Sequence, residues 1–292
     1  MNDLYITRPR NRSIALTLSL FMLFLASLLT ARAAGEPPKE GGIVDGPVAL
    51  PGPQQPGLSR EPNESLSSSA VRTSSAEAEN VEFVGHIGGP TEAVFVQEGH
   101  AYIGEGGALT ILDISNPSSP TVLGRTAVFP NIVGDVFVSG DYAYVAADYG
   151  GPSVDYKGLR VVDVGDPTHP IEVGHYDTPG SAQGVYVSGT IAYVADGESG
   201  LRVLDVSDPA YPTEVGYCDT PGNAFDVHVR GSIAYVADYL GGLRVVDVSD
   251  PYHPSEVGHY DTPGNAYAVY VSDTTAYLAD LGGGLRVVNI SD

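Results

Sequence analysis

A ten-residue motif, Gly-Leu-Arg-Val-Val-Asp-Val-Ser-Asp-Pro, most constrains how this chain can fold, because it recurs at a nearly fixed interval. It occupies residues 242–251 and returns in closely similar form at 158–167, 200–209 and 284–292, with a looser copy at 108–117. Gly174, Gly216 and Gly258 mark one point in successive units and lie 42 residues apart. Self-similarity at this period is typical of proteins built from stacked supersecondary units.

Each unit contains the pattern of four β-strands and no helical periodicity. In one unit we predict strands at residues 184–188, 191–195, 201–206 and 213–217. Gly189 and Thr190 form a two-residue hairpin turn, and the Ser-Asp-Pro segment fixes the turn before the fourth strand. The second and third strands are apolar on both faces, so they are expected to lie between neighbouring sheets. The fourth strand is more polar and is expected on the outside.

Four-stranded sheets at a period near 42 residues are the blades of a β-propeller. We therefore predict an all-β fold, a β-propeller of about five four-stranded blades, over residues 81–292. Residues 82–86 repeat the pattern of a fourth strand, so an N-terminal strand is expected to pair with the last three strands and close the ring. The alternative is that these blades are a fragment of a larger ring.

The first 80 residues have the composition of a leader and a tether. Three arginines precede the apolar run 14–29, and Ala31-Arg32-Ala33 follows it, which is the order of a secretory signal peptide over residues 1–33. An uncleaved signal anchor is the alternative. Residues 34–80 are rich in Pro, Gly and Ser, which predicts a disordered linker. The protein is thus expected to be secreted or extracytoplasmic, and it could be tethered at the cell surface.

The charge of the chain narrows the classes of partner. The formal net charge is -22, and without residues 1–33 there are 10 basic against 35 acidic residues. A surface this acidic repels phosphate backbones and anionic lipid. We therefore expect neither nucleic-acid binding nor membrane insertion after signal cleavage. A protein or a cell-envelope component with basic patches fits better. Cys218 is the one cysteine, which excludes an intrachain disulfide.

The repeat resembles a known family. The motif given above, preceded by Ala-Tyr-Val-Ala-Asp and followed by Glu-Val-Gly-His-Tyr-Asp-Thr-Pro-Gly, is similar to the repeats of the LVIVD-repeat family of bacterial and archaeal surface or secreted proteins. The resemblance covers about residues 82–292. It implies a propeller-type repeat domain, often held at the cell surface. The family brings no established catalytic residues, so none is carried over.

Acidic residues recur in the loops between strands two and three. Such loops meet at one face of a propeller, where calcium, which takes about 6–8 oxygen ligands, could bind. The candidate ligands are Glu105, Asp148, Asp196, Asp238 and Asp280. The alternative is that these carboxylates bond their own turns or pair with the recurring Arg160, Arg202, Arg244 and Arg286. The alternative also explains why the acids recur in every blade, so we expect no cofactor. If a cofactor is present, calcium is the candidate.

Asp135 and Asp226 break the repeat. They occupy a position on the first strand where other blades have Ala93, Gly184 and Ala268. Glycoside hydrolases built as five-bladed propellers use carboxylates on such strands as acid and base. Solvated residues at the mouth of the channel are the alternative, and no tryptophan is available to stack on a sugar.

The loops of the same face supply candidates for partner binding. The 148–157 insertion breaks the symmetry of the repeat, and exposed tyrosines are effective anchors for protein contacts. The candidates are Tyr149, Asp155, Tyr156, Lys157 and Tyr239. We therefore predict a non-catalytic binding or interaction scaffold, without assigning an enzyme activity. The alternative function is a glycan-active hydrolase or lyase that uses Asp135 and Asp226.

Overall fold

The computed structural model describes residues 84–87, 90–147 and 157–291, and regular structure in this part of the chain is entirely β. In the described residues, nineteen strands form five antiparallel sheets that follow one another in chain order. The sheets are the blades of a five-bladed β-propeller. The predicted fold class is confirmed.

The strands of each blade run from the first, innermost strand to the fourth. Blade one has β1 (Ala93–Gln97), β2 (His100–Glu105), β3 (Ala108–Asp113) and β4 (Thr121–Arg125). Blade two has β5 (Val133–Ser139), β6 (Tyr142–Ala147), β7 (Gly158–Asp163) and β8 (Ile171–Asp177). Blade three has β9 (Gly184–Ser188), β10 (Ile191–Ala195), β11 (Leu201–Asp205) and β12 (Thr213–Cys218). Blade four has β13 (Asp226–Arg230), β14 (Ile233–Ala237), β15 (Leu243–Asp247) and β16 (Ser255–Tyr260). Blade five has β17 (Asn265–Ser272), β18 (Thr275–Leu281) and β19 (Gly284–Asn289).

Local sequence explains the shape of each blade. Ser188 pairs with Ile191, which confirms the two-residue turn at Gly189, a residue with a φ of 62°. The second strand β10 is almost wholly buried, whereas only one of the six residues of the fourth strand β12 is buried, in agreement with their side chains. A β-bulge between β11 and β12 shifts the register at Val203. All four predicted strands of this unit begin where expected and end within one residue of the predicted bound.

The core consists of layers between adjacent blades. Between blades one and two, Tyr102 and Leu109 pack with Val136 and Val138, and all four are at most 5% exposed. Clusters of the same composition lie at the following three junctions. A glycine in the fourth strand permits this approach, because a Cβ on Gly124 would lie 2.4 Å from the carbonyl oxygen of Pro167 in the next blade.

The predicted closure of the ring by residues 82–86 is not confirmed. Residues 82 and 83 lie outside the described part, residues 84–86 form no strand, and the described sheet of blade five has three strands. The predicted signal peptide and linker also lie outside the described part. Among the residues that are described, no helix has the length and hydropathy needed to cross a membrane.

Candidate functional site

A cavity of about 240 Å³ opens where the first strands of all five blades begin. We call it the axial pocket. It is lined by residues from two consecutive positions of the repeat. The residue type at both positions varies from blade to blade, although the sequences of the surrounding strands are similar. The lining residues are Glu92, Gly134, Asp135, Gln183, Gly184, Phe225, Asp226, Tyr267 and Ala268.

Asp135 and Asp226 share the axial pocket and make the same contacts in different blades. The carboxylate of Asp135 accepts the N–H of Val136 at 2.8 Å and, across the junction, the N–H of Val185 in blade three at 2.9 Å. Asp226 accepts the N–H of Val227 and of Val269, in blade five, each at 2.8 Å. Each carboxylate therefore ties its own blade to the next one, a role that the sequence did not reveal.

The two carboxylates have raised pKa values. Burial, with a smaller contribution from the charge of Asp226, raises the pKa of Asp135 to about 7, against the lowering effect of its backbone hydrogen bonds. Burial also raises the pKa of Asp226. No ion pair with a basic side chain involves either carboxylate in the described residues. The axial pocket therefore presents two carboxyl groups that have no basic counterpart among the described residues, and burial disfavours their charged form.

Three aromatic residues form a cluster beside the axial pocket. The ring of Phe225 stacks on Tyr267 with centroids 4.6 Å apart and packs on Tyr239 at 5.2 Å. Tyr239 has a φ of 49°, whereas the corresponding residue of blade three is Gly197 with a φ of 56°. Both residues pair with the next blade, Gly197 with Ala224 just before β13 and Tyr239 with Ala266 in β17. A tyrosine in a conformation that favours glycine carries strain, which marks its side chain as a functional candidate.

Below the axial pocket, one ring side chain from each first strand forms a belt. Successive centroids lie 4.8 to 5.1 Å apart. The belt consists of Phe95, Phe137, Tyr186, His228 and Tyr270. Desolvation by burial lowers the pKa of His228. The belt lines the axis two residues further along the first strands than Asp135 and Asp226.

The sequence matches the model of one known protein family. The LVIVD repeat matches five times, at residues 88–128, 131–178, 179–220, 221–262 and 263–292. The chain belongs to the LVIVD-repeat family. Each match begins in the loop before a first strand, so the LVIVD repeat and the structural blade have the same phase.

Two solved structures are similar to this chain at low sequence identity, and one of them has a TM-score that supports a shared fold. A functionally unknown protein from Desulfotomaculum acetoxidans DSM 771 is 13% identical, with a TM-score of 0.57 and coverage of 70% of each chain. The computationally designed Ika8 protein is 11% identical, with a TM-score of 0.48 and coverage of 68% of this chain and 71% of that one. No curated protein matches the sequence. The LVIVD repeat and its fold are therefore what these comparisons establish.

The acids predicted as metal ligands are engaged by the loop that precedes the first strand of their own blade and by the recurring arginine. Asp238, which is fully buried, accepts the hydroxyl of Thr220 at 2.5 Å and the N–H of Gly222 at 2.7 Å, and its carboxylate lies 3.8 Å from Arg244. Asp196 makes the equivalent contacts in blade three. Burial raises the pKa of Asp196 to about 6, opposed by its hydrogen bonds and by the Arg202 charge.

The other predicted ligands follow the same pattern where they are described. Asp280 lies 2.9 Å from the guanidinium of Arg286, and Glu105 accepts the hydroxyl of Thr110 at 2.6 Å. Asp148 lies outside the described residues. Within residues 84–87, 90–147 and 157–291, no three His, Cys, Asp or Glu side chains are grouped to hold a metal ion. Calcium binding stays a prediction, and the repeated acids have a structural explanation in their loops.

The predicted partner-binding residues are only partly described. Tyr149, Asp155 and Tyr156 lie outside the described part of the chain. The carbonyl of Lys157 accepts the N–H of Thr178 at the start of the next loop. Tyr239 belongs to the aromatic cluster. The sequence analysis missed Phe225 and Tyr267. A signal for them was present, because the residue directly before Asp135 and its equivalents changes from Glu to Gly, Gln, Phe and Tyr along the repeats.

Proposed function

We propose that this protein is a secreted or cell-surface-tethered binding scaffold without catalytic activity. Its partner, a protein or a cell-envelope component, binds on the loop face around the axial pocket. One observation carries this proposal. The LVIVD repeats are nearly identical where they build the blades, yet they differ at every position that lines the axial pocket. Variation at the lining of a cavity that similar repeats surround favours a ligand-binding role for that cavity.

The chemistry of the loop face favours a partner with basic groups. The axial pocket presents carboxylates without a basic counterpart, and Phe225, Tyr239 and Tyr267 place aromatic surface at its edge. A lysine or arginine side chain can satisfy both features, through charge and through contact with an aromatic face. The order of charged, apolar and small residues at the N-terminus supports a location outside the cytoplasm.

Replacement of Tyr239 by glycine is expected to separate binding from stability. Glycine adopts a positive φ without strain, so the thermal midpoint should stay the same or rise. Loss of an aromatic anchor should weaken binding at least about tenfold. The measurement is saturation binding of the labelled full chain to the washed cell-envelope fraction of the organism that produces it.

Tyr211 provides a matched control at the opposite end of the blades. It is 76% exposed in the turn that joins the third and fourth strands of blade three. Tyr211→Ala should bind as the wild type does. The proposal would be overturned if Tyr239→Gly bound normally, or if Tyr211→Ala lost binding in its place.

Glycan hydrolysis is a second candidate function, because Asp135 and Asp226 line one cavity and the raised pKa of Asp135 suits a general acid. Against it, both oxygens of each carboxylate already accept backbone N–H groups. If this function is correct, hydrolysis of a cell-envelope glycan by the wild type is lost in Asp135→Asn and in Asp226→Asn. Hydrolysis that survives both substitutions eliminates it.

A further inference from the structure

The first blade has an apolar face that no other blade covers in the described residues. The leading face of a blade is the one that its first-strand valines turn toward the preceding blade. On blades two to five these valines are 2–6% exposed. On blade one the corresponding Val94 and Val96 are 64% and 59% exposed. The leading face of blade one therefore carries the same valines as the faces at the other junctions, but no blade packs on it in the described residues.

Blade five has the complementary face uncovered. The trailing face of a blade is the one that packs on the valines of the following blade. Leu243 on the trailing face of blade four is 1% exposed and packs on Val269 and Val271 of blade five. The matching Leu285 of blade five is 68% exposed, and Val287 is 62% exposed. These two uncovered faces are the two sides of one further junction of the kind that the chain forms four times.

Residues 84–87 already lie in the place of a fourth strand. A Cβ on Gly85 would lie 2.2 Å from the carbonyl oxygen of Pro117 in blade one. Gly174 and Gly216, in fourth strands, meet Pro209 and Pro251 of the next blade at the same 2.2 Å. The segment that leads into blade one is therefore placed as the fourth strand of a blade that precedes it.

Blade five lacks a fourth strand in the described residues. A Cβ on Gly242 would meet the carbonyl oxygen of Tyr260 at 2.3 Å, and one on Gly200 would meet that of Cys218 at 2.5 Å, both in the adjacent fourth strand. A Cβ on the matching Gly284 meets nothing within 4 Å. β19 thus presents an unpaired edge, which readily accepts a further strand.

We propose that residues 84–87 of the same chain occupy this edge as the fourth strand of blade five, and that the leading face of blade one then packs on the trailing face of blade five. Val84-Gly85-His86 repeats Val-Gly-His of β8 and β16. Leu201 pairs with Cys218 and Leu243 with Tyr260, so the same register pairs Leu285 with Ile87.

The chain's own segment is the favoured occupant because the join is intramolecular. Residues 84–87 are already fixed against blade one, and a short connection gives an effective concentration in the millimolar range. A second copy at micromolar concentration competes poorly with that. Closure also brings Phe95 beside Tyr270 and completes the aromatic belt below the axial pocket.

A disulfide tests the proposed register. Ile87→Cys and Leu285→Cys are introduced together into the full chain in a Cys218→Ala background, and the protein is oxidised at low micromolar concentration. Directly paired strand residues have Cα atoms close enough for a disulfide. The expected result is a monomer with an intrachain disulfide, seen as a faster-migrating band without reductant and a loss of two mass units.

A shifted pair is the matched control. Ile87→Cys with Asn289→Cys moves one partner four residues along β19, about 13 Å away, and should stay reduced. Equal oxidation of both pairs would overturn the proposal. Disulfide-linked dimers in place of the intrachain bond would identify a second copy as the occupant and overturn it as well. The proposal would also be overturned if the Ile87→Cys, Leu285→Cys pair formed no disulfide.

A charge on the trailing face provides a second measurement. Leu285 is 68% exposed and Leu240, in a loop, is 76% exposed. If the trailing face stayed uncovered, aspartate would be tolerated equally at both positions. Closure buries Leu285, so Leu285→Asp should lower the thermal midpoint by roughly 6–12 °C while Leu240→Asp changes it by less than about 2 °C. Equal midpoints for the two variants would contradict closure.

Discussion

Alanine in place of Asp238 is expected to destabilise the propeller by about 3–5 kcal/mol. The carboxylate is fully buried and accepts two hydrogen bonds, from the hydroxyl of Thr220 and from the N–H of Gly222. It also lies 3.8 Å from the guanidinium of Arg244, whose charge it balances without a hydrogen bond. Alanine leaves the two donors without their acceptor and the buried Arg244 charge without this partner, and buried groups that lose their partner cost more than the bond itself contributed.

Equilibrium urea unfolding of the full chain measures this cost. Asp247→Ala is the control, since Asp247 also accepts a backbone N–H, that of Ser249 at 2.8 Å, but does so in an exposed turn. Its loss should destabilise the protein much less than the loss of Asp238, because water can replace a hydrogen bond in an exposed turn. Equal destabilisation by the two substitutions would show that the buried network adds nothing beyond one turn hydrogen bond.

The same network connects stability to the loop face. Thr220 and Gly222 belong to the loop that precedes β13 and leads to Phe225 and Asp226 in the axial pocket. Asp238 immediately precedes Tyr239, the strained member of the aromatic cluster. The recurring aspartate thus holds in place the two loops from which the variable residues project. A residue that recurs in each blade serves the scaffold, and the residues beside it that vary are the ones available for binding.

The sequence predicts the blades well because their determinants are local. Gly189 at a positive φ, the Ser-Asp-Pro turns and the apolar second and third strands each act within a few residues, and the strand bounds follow from them. The repeat then supplies packing information that a single unit could not. Gly216 recurs because the next blade leaves no space for a Cβ beside Pro251.

The axial pocket could not be predicted to the same extent. Its lining comes from five blades, and the interblade hydrogen bond from Val185 to Asp135 joins residues 50 positions apart. Asp135 and Asp226 stood out only as departures from the repeat. Phe225 and Tyr267 did not, because an aromatic residue next to a strand is also a common core residue. Their position beside a cavity becomes evident only when the blades are assembled.

Stability is expected to fall as the pH rises from about 4 to about 7, and Asp135 is one of the causes, beside Asp196 and Asp226, whose pKa values are also raised by burial. For Asp135, the pKa of about 7 in the folded protein exceeds the value of about 3.9 for an unfolded aspartate. The folded state therefore holds this proton more tightly, so the stabilisation is fully present below pH 4 and is lost as the pH passes through 7. The shift corresponds to about 2–4 kcal/mol. Asp205 and Asp247, whose pKa values are lowered by hydrogen bonds from Ser207 and Ser249, act in the opposite direction but only below pH 4.

Asp135→Asn should flatten this dependence. The amide oxygen can keep one of the two backbone N–H bonds, so the variant is less stable at pH 5, but it carries no titrating proton. The difference between unfolding free energies at pH 5 and pH 7.5 should shrink by about 2 kcal/mol relative to the wild type. Glu198→Gln, in an exposed loop, should leave the difference unchanged. Identical pH profiles for the wild type and Asp135→Asn would contradict this prediction. They would mean that the carboxyl group of Asp135 is already ionised in the folded protein at pH 5.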